Sequence, residues 1–377
     1  MPLNRNRIYL DHAATTPVHP AARAAMAEAC ALTGNPSSPH AEGRRAKAAL
    51  EDARARVAAA LGWTGSVVFT SGATEAIALA LGRGRAGRRL VSAGEHQAVL
   101  RAAPDAIRIP LAPDGLVELG ALRTALARAE RPLVAVQHVG NETGVIQPLP
   151  EVAALVTEAD GLLLADCAQS AAKLPLPEAD FLALSAHKFG GPPGVGALLV
   201  RDPATLEAIG GQEGGYRPGT PGLPAITAMA ATLDAYGTEH AYPGEGRGPG
   251  HTPATRSNSW LERAAALRAE LETDLPARTE IIAQAAPRLP TIGAYRLPGL
   301  SAAAQLADLD LAGIAVSAGP ACSSGALGAS HVLAAMGWPE AAAREVIRVS
   351  FGPQTTQDEV GAFLDRYTRL ATRVRAA

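Results

Sequence analysis

Short apolar runs alternate along this chain with longer alanine-rich stretches of helical period. The runs fall at 66–70, 89–92, 106–109, 132–138, 161–165, 180–184 and 195–200. Each has strand length and few polar positions, which predicts buried strands. Between them the spacing predicts helices over 19–31, 40–60, 74–81, 118–129, 149–158 and 223–236. That alternation belongs to an α/β protein with a mostly parallel sheet. Near the N-terminus, Ile8-Tyr9-Leu10 adds a further strand-like run. The pattern then breaks at Tyr242-Pro243-Gly244-Glu245-Gly246-Arg247-Gly248-Pro249-Gly250. No helix survives that density of glycine and proline, so 241–254 is expected to be a flexible junction. Helical spacing resumes at 260–275. The expected division is a large domain over 15–240 and a smaller α/β domain built from 1–14 and 255–377. No internal repeat is visible.

A length of 377 residues fits two such domains. Apolar residues make up 47% of the chain but aromatics only 4%, so the core should be mainly aliphatic. The formal net charge of −2 argues against a broad nucleic-acid surface. No apolar run approaches the length of a membrane span, and no signal-peptide pattern leads the chain. Cys30, Cys167 and Cys322 are widely spaced, without paired metal-ligand spacing. Free thiols in a reducing cytoplasm are expected, and no metal site.

The candidate chemistry lies where strands end. Ser185-Ala186-His187-Lys188 closes one apolar run and leads into Gly190-Gly191-Pro192-Pro193-Gly194, while another run ends at Asp166. Ser71-Gly72-Ala73-Thr74-Glu75 reads as a tight turn opening a helix, where unsatisfied backbone N–H groups can seat a phosphate. The alternative is an ordinary turn capped by Thr74. Asp166 alone could be a turn aspartate, and Lys188 alone a surface lysine. Together the three supply what pyridoxal phosphate requires: a lysine for its aldehyde, a carboxylate for its ring nitrogen and a seat for its phosphate. They also sit at strand C-terminal ends, where open α/β sheets bind ligands. Gln169 could reach a ring hydroxyl. His96 could stack on a planar ring or cap the next helix. Arg348, in Val346-Ile347-Arg348-Val349-Ser350, needs an anion, either an internal carboxylate or that of a substrate. Cys322 lies among small residues, Gly319-Pro320-Ala321-Cys322-Ser323-Ser324-Gly325, and is expected on an exposed loop as a candidate nucleophile. Cys30 and Cys167 read as packing residues.

Ordered motifs run through nearly the whole chain: Leu10-Asp11-His12-Ala13-Ala14-Thr15-Thr16-Pro17, Gly34-Asn35-Pro36-Ser37-Ser38-Pro39-His40, Thr70-Ser71-Gly72-Ala73-Thr74-Glu75, Asn141-Glu142-Thr143-Gly144, Ser185-Ala186-His187-Lys188 and Arg217-Pro218-Gly219-Thr220. In these the chain resembles the class V, fold-type I pyridoxal phosphate enzymes. Within them it resembles the cysteine desulfurases that supply sulfur for iron–sulfur clusters, and its Ala321-Cys322-Ser323-Ser324 stretch is similar to the long-loop subgroup. The resemblance implies that Lys188 carries the cofactor, Asp166 pairs with the ring nitrogen, Gln169 bonds the ring phenolic oxygen and His96 stacks on the ring. Ala73, Thr74, Ser185 and His187 would hold the phosphate. Thr220 would reach the phosphate of a neighbouring subunit, which implies a homodimer. Asn141 and Arg348 would bind the carboxylate of L-cysteine, and Cys322 would take its sulfur for delivery to an acceptor such as an iron–sulfur scaffold protein. Gly140 stands where the family usually has asparagine, and Pro193 where it has lysine. The nearest other readings are a class V aminotransferase, a selenocysteine lyase, or a non-catalytic paralogue serving as a scaffold.

Overall fold

The computed structural model describes residues 7–239, 259–319 and 329–376. Strands in chain order are β1 Ile8–Tyr9, β2 Ser66–Thr70, β3 Arg89–Ser92, β4 Ile107–Ile109, β5 Leu133–Gln137, β6 Leu162–Asp166, β7 Phe181–Ser185, β8 Gly196–Val200, β9 Glu280–Ile281, β10 Ile292–Arg296, β11 Ile314–Ala315, β12 Ser317–Ala318 and β13 Val346–Ser350. The helices are α1 Pro20–Cys30, α2 Ala41–Leu61, α3 Ala73–Arg83, α4 Gln97–Ala102, α5 Leu119–Leu126, α6 Leu149–Glu158, α7 Leu223–Glu239, α8 Ser259–Asp274, α9 Ala302–Leu311, α10 His331–Ala335, α11 Glu340–Ala343 and α12 Gln357–Ala376. Every strand and helix anticipated between residues 19 and 236 is present, with ends moved by a few residues at most. The glycine- and proline-rich run at 242–250 lies outside the described residues.

Seven strands form the main sheet in the order β2-β8-β7-β6-β5-β3-β4. All neighbours pair in parallel except β8, which runs antiparallel to both β2 and β7. The apolar runs are continuous because both faces of this sheet are covered. Along β7, Leu182 and Leu184 join one buried cluster while Phe181 and Ala183 join the other. Valine pairs in β5 divide the same way: Val134 and Val136 against Leu133 and Ala135. Fully burying a leucine or valine contributes roughly 1.5–3 kcal/mol, so such a strand has one favoured place in the layer.

A second sheet, β12-β13-β10-β9, is antiparallel throughout. Its cluster joins Leu10 to Trp260, Tyr295, Ile347, Phe363 and Tyr367, so the chain's start packs among its last elements. The first core also takes in Ala294, Val332, Leu333 and Met336 from the C-terminal third.

One edge of the main sheet is fastened by a buried ion pair. β2 is an edge strand, and the backbone N–H of Phe69 donates to Glu213 Oε2 at 2.8 Å. The same carboxylate takes a bidentate fork from Arg54, at 2.7 and 3.0 Å. Glu213 adopts a left-handed backbone (φ 52°), a conformation disfavoured for a residue with a side chain. The fork and the strand N–H hold it there.

Candidate active site

The C-terminal ends of the parallel strands open into a cavity of about 500 Å³. Its floor is made by strand ends. Asp166 closes β6, and the single 3₁₀ turn Ala186–Lys188 follows β7 directly. Gly190, at φ 90°, lets the chain reverse after that turn. Lys188 is no surface lysine: its Nζ donates to the carbonyls of Ala13 and Ala14 at 2.8 and 2.9 Å. The lysine turn is also stitched to the N-terminal segment. Thr16 donates through its N–H to His187 O and through Oγ1 to Lys188 O.

Asp166 is buried, and burial pushes its carboxyl above the ordinary range, opposed by the Ala168 N–H donated to Oδ1 at 2.9 Å and by the charges of His96 and Lys188. A buried carboxyl of this kind calls for a cationic partner within the cavity. Gln169 donates from Nε2 to Ala13 O at 2.8 Å, while its Oε1 is buried with no protein partner. An amide nitrogen has two hydrogens, so one donor remains.

The opening of α3 excludes the ordinary-cap reading. Gly72 is the N-cap, at φ 154°, and no side chain caps the helix there. Thr74 lies inside the helix and is exposed. The first N–H groups of α3 therefore point into the cavity's wall with positive helix potential behind them. Added bulk is disfavoured behind it: a Cβ on Gly196 would sit only 2.6 Å from Gly72 Cα. Ala73, Thr74, Ser185 and His187 all line this end.

His96 takes the capping alternative and is also placed at the cavity. It caps α4, with Nδ1 accepting from Ala98 N at 3.2 Å, and it lines the cavity. Because Nδ1 accepts, the neutral ring carries its proton on Nε2. Burial lowers its pKa, against the charge of Asp166, so the neutral form is favoured.

Arg348 has the internal carboxylate of the first alternative. Its Nη2 donates to Asp11 Oδ1 and its Nη1 to Asn141 O, both at 2.9 Å. Asp11 is set in turn by Ser317, whose Oγ donates to Oδ2 at 2.7 Å. Five guanidinium N–H groups less these two leave three, and among the described residues the buried Nε has no partner. An internal salt bridge thus orients the fork while leaving N–H groups for a second carboxylate. Arg348→Lys removes the planar fork and one anchored N–H. Losing a charged hydrogen bond costs roughly 1.5–3 kcal/mol, so a lower melting temperature and an apparent affinity for L-cysteine weakened by about tenfold or more are expected together. Wild-type KM combined with a lower melting temperature would leave Arg348 a purely internal pair.

One anticipated residue lies elsewhere. Thr220 is exposed and does not line the cavity of its own chain; its loop is tied back by Arg217 Nε, which donates to Glu75 Oε1 at 2.8 Å. Cys322 falls outside the described residues. Of the other cysteines, Cys30 is exposed at the end of α1, and Cys167 is buried with its thiol pushed up by burial, the unreactive direction. No role for Asp11, Ala13, Ala14, Glu75 or Arg217 is legible from sequence. The only hint was the motif Asp11-His12-Ala13-Ala14 directly behind a short apolar run.

The buried carboxylate, the strand-end lysine, the uncapped helix and the unpartnered amide oxygen fit pyridoxal phosphate in size and chemistry. On this fold they define a pyridoxal phosphate enzyme of fold type I. The description of the class-V aminotransferases matches residues 8–363, and the chain belongs to that family. It is 36% identical to an IscS-like cysteine desulfurase of Mycobacterium tuberculosis, over 98% of this chain and 97% of that protein. Among solved structures, a NifS-like protein from Rickettsia africae superposes with a TM-score of 0.85 at 29% identity, covering 97% of this chain and all (100%) of that one. A structure described as SspA in complex with cysteine gives 0.75 at 27% identity, over 92% and 99% of the two chains.

Proposed function

We propose that this enzyme is a cysteine desulfurase that converts L-cysteine to L-alanine and retains the sulfur as a persulfide on Cys322. The observation that supports it most is Arg348, oriented by Asp11 and still holding unpartnered N–H groups at the cavity wall. The named relatives and the cysteine-bound neighbour agree with that reading.

Pyridoxal phosphate, when bound, supplies an electron sink that labilises bonds at the substrate's α-carbon. Asp166 holds the ring nitrogen, the N-terminal amides of α3 with Ser185 and His187 hold the phosphate, and Gln169 bonds the ring oxygen. Arg348 and Asn141 fix the substrate carboxylate. Lys188 removes and returns the proton at Cα. The Cys322 thiolate attacks the substrate sulfur: a sulfur–sulfur bond forms, the Cβ–S bond breaks, and Cβ takes a proton to become the methyl of alanine. Cys322 leaves the cycle one sulfur richer and hands it to an acceptor such as an iron–sulfur scaffold protein.

Thr220 completes the phosphate site of a second subunit in this reading, which makes the enzyme a homodimer. Its exposure and its tethered loop support that role. Light scattering on active, cofactor-loaded protein should give twice the chain mass; a monomeric mass at full activity would remove the shared site. The division into a domain over 15–240 and one over 1–14 with 255–377 is part of the same proposal, supported by the packing of Leu10 among the C-terminal elements. Widely spaced cysteines suit a cytoplasmic setting. Among the described residues no helix is long and apolar enough to cross a membrane. The test of the activity is release of alanine from L-cysteine, with sulfide appearing when a reductant is added. An enzyme that bound the cofactor but formed no alanine would overturn it.

A further inference from the structure

Helix α10 starts at His331, and this first residue lines the cavity. Ser330 donates through Oγ to the buried carboxyl of Glu142, beside Asn141. His331 meets a different element. Its two ring nitrogens are engaged by the two residues that flank His96. The carbonyl oxygen of Glu95 lies 2.9 Å from Nε2, and the side-chain amide nitrogen of Gln97 lies 3.3 Å from Nδ1. A carbonyl can only accept, so Nε2 carries the proton; Nδ1 then accepts from Gln97. With both nitrogens occupied, this ring is placed to hold rather than to carry protons.

What it holds is the turn that presents His96. From beneath, the turn is fixed by Glu95, fully buried, whose Oε1 accepts the backbone N–H of Gln137 in β5 at 2.7 Å. Gly94 O, one residue earlier, accepts from the Gln137 side chain at 2.6 Å. His331 grips the same turn from the C-terminal part of the chain, on both sides of His96. The His96 ring bonds Ala98 N within its own turn, so any shift of the turn moves the ring with it.

We propose that His331 is a positioning residue that sets the height and tilt of His96 over the cofactor ring. It rests on the reading of His96 as the residue that stacks on that ring. An error of about 1 Å at such a group can cost up to a hundredfold in rate, so the bracket has a measurable effect without touching substrate.

The test uses the holoenzyme and its apo form. Pyridoxal phosphate is titrated into apo protein, and kcat, KM and the absorbance band are read on the reconstituted enzyme. His331→Ala should weaken cofactor binding and lower kcat by about tenfold, with KM for L-cysteine little changed. His331→Gln, whose amide can still donate to Glu95 O, should recover most of the loss. In a His96→Ala background, His331→Ala should add almost nothing, because the two residues act as one unit. The inference is overturned if His331→Ala keeps wild-type cofactor affinity and kcat. It is equally overturned if the full loss persists in the His96→Ala background, or if only the melting temperature falls. Should His96→Ala itself leave cofactor affinity and spectrum unchanged, the inference falls with its premise, while alanine release judges the desulfurase reading separately.

Discussion

Lys188→Ala is expected to abolish turnover, a fall on the order of a thousandfold or more, and to remove the visible absorbance of lysine-bound cofactor. The geometry makes the expectation sharp. The Lys188 side chain leaves a turn fixed at His187 O and Lys188 O by Thr16, and its Nζ is aimed at the Ala13 and Ala14 carbonyls. Alanine keeps that turn, since the hydrogen bonds to Thr16 come from backbone. Folding and the phosphate seat should therefore survive, and loosely bound cofactor should still be detectable. Lys173 is the natural rival. It is buried, and burial, aided by the charge of Lys188, pulls its ammonium down to about 7. Lys173, however, does not line the cavity. Borohydride reduction followed by peptide mapping separates the two, and cofactor fixed on Lys173 would refute the assignment.

Cys322→Ser should leave cofactor binding and the spectral response to L-cysteine intact, because the proposed mechanism assigns those steps to Lys188, Asp166 and Arg348. Sulfur transfer should fall on the order of a thousandfold or more, since a hydroxyl at neutral pH is a far poorer nucleophile toward sulfur than a thiolate. Mass spectrometry of wild-type protein exposed to L-cysteine should find one added sulfur on the Cys322 peptide. The other thiols bracket the result. Cys167 is buried beside Asp166 with its pKa raised, and Cys30 ends α1, a helix that does not line the cavity. A serine variant that released alanine at the wild-type rate, or added sulfur only on Cys30, would end the proposed mechanism. It would leave an aminotransferase as the reading to test.

The sheet was legible because burial on both faces writes itself as an uninterrupted apolar run. β5, β6, β7 and β8 each stand out from alanine-rich neighbours, and the glycines and prolines after Lys188 mark where β7 must stop. Asp166 and Lys188 were legible for the same reason: a polar residue closing such a run is conspicuous. The second sheet was harder to read. β9 and β12 are two residues long, too short for a period, and exist because β10 and β13 offer them edges; β11, equally short, pairs apart from that sheet with β1. That Asp11 and Asn141 would be the partners of Arg348 carried no local signal. Asp11 is 337 positions away in sequence, and Asn141 contributes a backbone carbonyl that any residue would possess. Likewise, nothing near His331 announces that its ring will meet Glu95 and Gln97.

The meeting of Asp11 and Arg348 has a temporal side. Residues 11–16 and the sheet through β8 leave the ribosome early and already contain Lys188, Asp166 and the opening of α3. Domains tend to fold as units during synthesis, N-terminal parts first. The donors for the cofactor can thus gather while β13 is still unmade. The carboxylate grip proposed for Arg348 is absent until Val346–Ser350 is laid beside β10 and Ser350 Oγ accepts the N–H of Ala13 at 2.8 Å. The order in which the chain is made therefore separates two competences in time, and a half-built polypeptide could hold its coenzyme without yet being able to seize an amino acid.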